Sequence, residues 1–95
     1  MGTLSDGLKY CAGIAGEKCI NLEELLKKKI KDYSDITRLT DATCDALVWY
    51  YYCYSVDELL SCLDEEFSVP VKAIVTENFG SLSNYADFLK DNLNL

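Results

Sequence analysis

The sequence predicts an all-α fold, a small bundle of four to six short helices. Apolar residues recur at spacings of three and four over most of the chain, which is the pattern of a helix with one buried face, whereas strand-like alternation is scarce. With 95 residues, 49% of them hydrophobic, the chain has the size and composition of one globular domain. We expect residues 21–95 to form the bundle and residues 1–20 to precede it as an N-terminal extension.

The first predicted helix begins at Asn21, which together with Glu24 has the spacing of a capping box. Its apolar stripe consists of Leu22, Leu25, Leu26, Ile30 and Tyr33. Turn-forming residues then dominate residues 32–40, so a loop or a short helix is expected there. Thr40 or Asp41 is expected to cap the segment that follows.

Residues 46–54, Ala-Leu-Val-Trp-Tyr-Tyr-Tyr-Cys-Tyr, are almost wholly apolar. Aromatic and β-branched residues favour strands, but a lone strand would have no partner, so we predict a buried helix or helix-like loop. The polar tips of tyrosine and tryptophan need hydrogen-bond partners. Part of this segment, around Trp49 and Tyr50, is therefore expected to reach solvent or a partner protein, with core filling as the alternative use.

Ser55 and Glu58 form a second capping box ahead of a predicted helix over residues 56–67. One face of this helix carries the apolar residues Val56, Leu59, Leu60, Leu63 and Phe67. The acidic residues lie largely off that face and are expected to be exposed; they are Asp57, Glu58, Asp64, Glu65 and Glu66.

Two more helices are predicted after residue 67. Ser68 and Pro70 are typical of a helix start, because proline is tolerated in the first turn. Gly80 suits the position just past the end of that helix. Ser83 is expected to cap the last helix, whose inward residues would be Tyr85, Phe88, Leu89 and Leu93.

Charge divides the chain and points to a basic partner. The formal net charge is −7: residues 1–40 carry seven basic and six acidic residues, and residues 41–95 carry two and ten. An acidic surface of this kind repels phosphate backbones and favours a basic protein surface. Nucleic acid is therefore not an expected partner.

Catalytic and metal signatures are not found in the sequence. The chain has no histidine and no Cys-x-x-Cys pair, so we predict no enzyme and no metal site. Its five cysteines are expected to act as buried thiols, with a disulfide or metal framework as the less favoured alternative. No apolar run is long enough to span a membrane, and no secretory start is visible, so a cytoplasmic location is expected. Nothing indicates the oligomeric state.

Residues 53–89 resemble the second half of an acyl or peptidyl carrier protein. Four apolar residues match the second helix of that family: Leu59, Leu60, Leu63 and Phe67. The pair Glu65-Glu66 matches the acidic residues that meet basic patches on partner enzymes. The step Phe79-Gly80-Ser81-Leu82 is similar to the entry into the family's last helix. The resemblance implies a non-catalytic acidic helical protein that docks on a basic partner protein through its acidic second helix. The residues expected to bind the partner there are Asp57, Glu58, Asp64, Glu65 and Glu66.

The sequence departs from the family where the phosphopantetheine arm is attached. The family has Asp-Ser-Leu at that point, and the matched residues here are Tyr52-Cys53-Tyr54. Ser55 is the nearest hydroxyl, so the resemblance gives Ser55 and Cys53 as the possible attachment residues. Ser55 has the simpler interpretation of a helix N-cap, and no cofactor is firmly predicted.

A second resemblance gives an alternative hypothesis. The segment Asp35 to Thr43, followed by Ala46-Leu47, is similar to a helix-turn-helix of the Cro and phage-repressor type, with Asp41 at the position of the turn glycine. Its presumed reading helix has no Arg, Lys, Asn or Gln to contact bases or phosphate. The resemblance therefore implies a protein-interaction module, or a DNA mimic, that uses the patch of aromatic residues from Trp49 to Tyr54.

Overall fold

The computed structural model describes residues 4–53 and 58–95, with side chains for residues 7–52 and 58–95. The described residues form five helices and no strand, which confirms the predicted all-α bundle. The helices are α1 (Leu4–Leu26), α2 (Tyr33–Cys53), α3 (Leu59–Glu66), α4 (Val69–Phe79) and α5 (Leu82–Leu93). None of these helices combines the length and the apolar character that a membrane crossing requires.

Helix α1 corrects the predicted start of the bundle. Asn21 lies inside this helix of 23 residues, so the capping box at Asn21 and Glu24 is wrong. Residues 4–20 belong to the bundle and are not an extension ahead of it. Spacings of three and four place one side of the whole helix in the core, formed by Cys11, Ala15, Cys19, Leu22 and Leu26. This stripe extends through the region that sequence analysis left out.

Helix α2 is longer than predicted because its buried stripe begins earlier. Asp32 caps it: its Oδ1 accepts a hydrogen bond from the Ser34 amide at 2.8 Å. Of the loop or short helix expected over residues 32–40, the loop is wrong: residues 33–40 are helical and continue into the rest of α2. The cap expected at Thr40 or Asp41 is wrong too. Thr40 lies inside the helix, and its buried hydroxyl has no hydrogen-bond partner among the described residues. The turn that the helix-turn-helix resemblance places at Asp41 is likewise not found, since α2 continues through it.

Helices α1 and α2 run antiparallel. A Cβ added at Gly7, near the start of α1, would lie 3.4 Å from the Tyr52 ring, near the end of α2. Farther along, Cys19 of α1 and Cys44 of α2 both pack in the same core. Short loops favour such antiparallel neighbours, and the connection here spans only residues 27–32. One side of this helix pair carries the groove described below.

Helix α3 begins at Leu59, later than the predicted residue 56. Glu58 stands at its N-cap without a side-chain capping bond, and Ser55, the predicted cap, lies outside the described residues. Leu59 and Leu63 are buried as predicted, but Leu60 is 43% exposed. The acidic side chains Asp64, Glu65 and Glu66 are all exposed, as the sequence predicted.

Helices α4 and α5 follow the predicted plan with one correction. Ser68 precedes α4, and Pro70 lies in its first turn. Gly80 ends the helix with φ at 92°, a left-handed conformation that favours glycine. The cap of α5 is Ser81, whose hydroxyl accepts a hydrogen bond from the Asn84 amide at 3.1 Å. The cap predicted at Ser83 is wrong, because Ser83 already lies inside the helix.

A buried polar contact lies among the apolar side chains of the core. Tyr85 of α5 is completely buried and packs against the rings of Phe67, Phe79 and Phe88. Its hydroxyl shares a hydrogen bond of 2.8 Å with the hydroxyl of Thr43, which is also completely buried. Each hydroxyl thus satisfies the other, as buried polar groups require. The contact also fixes α5 against α2.

Candidate functional site

A groove beside Trp49 is a large concave feature of the described residues. One part, about 830 Å³ in volume, is lined by Leu8, Lys9 and Ala12 of α1, Asp45, Val48 and Trp49 of α2, and Glu66 of α3. The adjoining part, about 440 Å³, shares Trp49 and Glu66 and adds Glu58, Ser61, Cys62 and Glu65. We call the two parts together the Trp49 groove. Their volumes fall in or near the range of roughly 300–1,000 Å³ that is usual for ligand sites.

Trp49 forms an exposed apolar surface in the middle of the groove. It is 42% exposed, and it makes an edge-to-face contact with Tyr52, with ring centroids 6.1 Å apart. Leu8, Ala12 and Val48 provide further apolar surface beside it. When a partner covers the exposed part of a large aromatic side chain, the burial of that apolar surface contributes to the free energy of binding.

The rim of the groove is acidic. Among the described residues, four carboxylates line it, those of Asp45, Glu58, Glu65 and Glu66, against the single ammonium group of Lys9. All four carboxylate side chains are exposed to solvent, so water and salt screen each of them separately. The described lining residues thus carry four negative charges and one positive charge, a formal charge of −3. The groove therefore combines an apolar floor with a negative border.

The acidic residues predicted for partner binding divide into two groups. Glu58, Glu65 and Glu66 line the Trp49 groove. Asp64 does not: it is exposed on α3 and forms an ion pair of 2.8 Å with Lys72 of α4. Asp57 lies outside the described residues.

The aromatic residues predicted for partner binding also separate. Trp49 is exposed at the groove, whereas Tyr50 is only 9% exposed and belongs to the core. The prediction that Tyr50 lies on the binding surface is therefore wrong. The two residues are neighbours on α2, and about 100° of helical rotation separates them. Tyr50 continues the buried stripe that contains Thr43, Ala46 and Leu47.

The possible attachment residues for phosphopantetheine are not brought to a described site. Cys53 is the last residue of α2, but its side chain lies outside the described residues, as does the whole of Ser55. We therefore derive no chemistry from that group. No cluster of three or more His, Cys, Asp or Glu side chains suited to a metal ion occurs in the described part of the chain.

Sequence analysis missed the wall of the groove that α1 provides. Leu8, Lys9 and Ala12 fall in the region expected to lie outside the bundle. A signal was present, because the buried spacing of Cys11, Ala15 and Cys19 leads directly into the predicted first helix. Asp45 and Val48 were also missed as site residues, since only the packing of α1 and α3 makes this side of α2 concave.

Comparisons with protein-family models, with characterised proteins and with solved structures gave no significant match. The functional conclusion therefore rests on the groove itself.

Proposed function

We propose that this protein is a non-catalytic adaptor whose Trp49 groove binds a basic, amphipathic helical segment of a partner protein. The observation that carries the proposal is the pairing of a half-exposed Trp49 with four carboxylates in one groove. Apolar side chains of the partner segment would cover Trp49, while its lysines and arginines would face the carboxylates. Recognition of this kind, a helix lying in a groove, is a common way to bind a peptide.

The apolar and the charged parts of the groove have different roles. Buried tryptophans are among the residues that contribute most to the affinity of an interface. The exposed carboxylates contribute less, because a solvent-exposed ion pair contributes roughly 0.2–1 kcal/mol. Their main effects are a faster, salt-sensitive association and the rejection of acidic partners. Trp49 thus supplies most of the affinity, and the acidic rim selects the partner.

A synthetic peptide tests the proposal directly. Its sequence places leucines on one helical face and lysines on the other, over about four turns, and its matched control carries glutamate in place of every lysine. Trp49 is the only tryptophan in the chain, so its fluorescence reports occupancy of the groove. We expect the lysine peptide to bind and shift the emission to the blue, with an affinity that falls as salt is added. Equal binding of the glutamate peptide, or no binding of either, would refute the proposal.

Two matched pairs of variants locate the binding site. Trp49→Ala should weaken binding by about 30-fold, equivalent to about 2 kcal/mol, when binding is followed with a labelled peptide. Tyr33→Ala is its control, because Tyr33 is 68% exposed on the same helix but about 24 Å away along its axis. Glu66→Gln should weaken binding and reduce its salt dependence, whereas Asp64→Asn, whose carboxylate already pairs with Lys72, should do neither.

The carrier-like part of the proposal has its own test. Exposure of Asp64, Glu65 and Glu66 on α3 is what docking of a carrier protein on a basic enzyme surface would require. Incubation with a broad-specificity phosphopantetheine transferase and coenzyme A, followed by intact mass measurement, decides whether an arm is attached. Modification at Ser55 or Cys53 would make the protein a working carrier. An unchanged mass would rule out the carrier role, and only the adaptor role would remain.

A further inference from the structure

The two parts of the Trp49 groove adjoin different helices. The larger part is lined mainly by α1 and α2, and the smaller part is lined mainly by residues at and within α3. Helices α1 and α3 each pack on α2, but among the described residues no Cα atom of α1 lies within 8 Å of a Cα atom of α3. Trp49 of α2 lines both parts. The groove therefore crosses α2 at Trp49, with α1 at one end and α3 at the other.

The charge of the lining changes from one end of the groove to the other. At the α1 end, Lys9 and Asp45 carry opposite charges. At the α3 end, Glu58 and Glu65 are both negative, and Glu66, which both parts share, adds a third carboxylate. The described residues thus form a nearly neutral end at α1 and an acidic end at α3.

The apolar surface is concentrated at the end that carries less charge. Leu8, Ala12 and Val48 line the part beside α1. Beside α3, the described lining consists of Ser61 and Cys62 together with Trp49 and the three glutamates. A bound segment that matches this lining has its apolar side chains against α1 and its lysines or arginines over α3.

A helix of about four turns fits the length of the groove. Neighbouring helix axes lie about 8–10 Å apart, so a path from α1 across α2 to α3 covers up to about 20 Å. This is the length of a helix of about 13 residues. Such a helix has a partial positive charge at its N-terminus and a partial negative charge at its C-terminus. Its N-terminus is therefore favoured at the acidic α3 end, and its C-terminus near Lys9.

We propose that the Trp49 groove binds its partner helix in one direction, with a lysine-rich N-terminal half over α3 and an apolar C-terminal half against α1. The inference rests on the proposed function and adds the order of residues in the partner. Side-chain charge and the helix dipole favour the same direction. Each exposed ion pair contributes little, and the dipole contributes a similar amount, so about three such contacts together give a preference of about tenfold in affinity.

Two peptides of identical composition test the preferred order of residues. Both have leucines at the same positions along one helical face, and both have acetylated and amidated ends that remove the terminal charges. One carries four lysines in its first two turns, and the other carries them in its last two turns. Titrated into the full chain and followed by Trp49 fluorescence, the peptide with N-terminal lysines should bind about tenfold more tightly at low salt. The difference should shrink as salt is added.

Charge reversal at Lys9 tests the α1 end of the groove. Lys9→Glu makes this end acidic as well, so the preference for N-terminal lysines should fall to about threefold or less. Lys28→Glu is the matched control, because Lys28 is exposed just beyond the far end of α1, about 25 Å from Lys9. This variant should retain the full preference.

Photocrosslinking tests the direction itself. A benzophenone side chain at the N-terminal end of the preferred peptide should crosslink to α3, and the same group at its C-terminal end should crosslink to α1; peptide mapping by mass spectrometry locates each product. Equal affinity of the two peptides, or an N-terminal crosslink to α1, would overturn the inference and leave the proposed function standing. If neither peptide bound, the proposed function and the inference would both fail.

Discussion

The hydrogen bond between Tyr85 and Thr43 allows a quantitative test of how the bundle is held together. Both side chains are completely buried, and their hydroxyls are 2.8 Å apart. Thr43→Val leaves the Tyr85 hydroxyl among aromatic rings with its partner removed. An orphaned buried hydroxyl costs roughly 1–3 kcal/mol. We expect a cost near the upper end, about 2–3 kcal/mol. The packed ring of Tyr85 fixes the position of its hydroxyl oxygen, so the oxygen cannot move to another hydrogen-bond partner.

Tyr85→Phe should cost less, about 1 kcal/mol. The Thr43 hydroxyl it leaves behind can turn toward the backbone carbonyl one turn earlier in α2, as helical threonines often do. The double variant Thr43→Val/Tyr85→Phe has no orphaned hydroxyl, and removing both members of a buried pair is often close to neutral. We therefore expect the double variant to be more stable than Thr43→Val alone.

Urea unfolding followed by circular dichroism measures these differences as shifts of the midpoint at constant slope. Tyr33→Phe, at a site that is 68% exposed, serves as the control and should leave the midpoint unchanged. If the double variant is destabilised by the sum of the two single changes, the hydroxyls do not depend on each other. The proposed account of the core would then be wrong.

Three further predictions concern helix ends and pH. Ser81→Ala should destabilise the protein by about 1 kcal/mol because it removes the capping bond of α5, while Ser83→Ala should have little effect. Urea midpoints measure both changes, and an equal loss of stability in the two variants would show that Ser81 is not the cap. Gly80→Ala should destabilise the protein by about 1 kcal/mol or more, because φ at Gly80 is 92°. Its control, Gly16→Ala, adds a methyl group in open space inside α1 and should stabilise the protein by about 0.4–1 kcal/mol. If Gly80→Ala also stabilised the protein, the positive φ at Gly80 would be wrong. Burial raises the pKa of Tyr85, with the hydrogen bond to its threonine partner opposing the rise; the unfolded chain therefore loses this proton above about pH 10 while the folded protein keeps it. Ionisation of Tyr85 should thus leave the free energy of unfolding unchanged below about pH 10 and lower it above about pH 10. The difference in unfolding free energy between the wild-type protein and Tyr85→Phe should narrow above about pH 10. A difference that stays constant up to about pH 11 would refute the raised pKa of Tyr85.

The two ends of α4 were predictable because their signals are local. Ser68, Pro70 and Gly80 act through their own backbone preferences, which no distant contact needs to supply. The wrong choice of Ser83 over Ser81 has a local origin too, since the two serines are only two positions apart and the apolar pattern does not separate them. In the first half, threonine and aspartate in α2 suggested a break that the buried stripe of Ile36 and Leu39 overrides.

The sequence by itself determined the all-α class, the acidic exterior of α3 and the inward position of Tyr85, because helical periodicity and charge are properties of neighbouring residues. It did not determine which side of residues 46–53 is covered, since that segment is apolar all round and carries no stripe. Only the packing of α1 and α3 against α2 buries Tyr50 and leaves Trp49 in a groove. Those contacts join residues far apart in the chain, and their positions follow from how whole helix faces fit together.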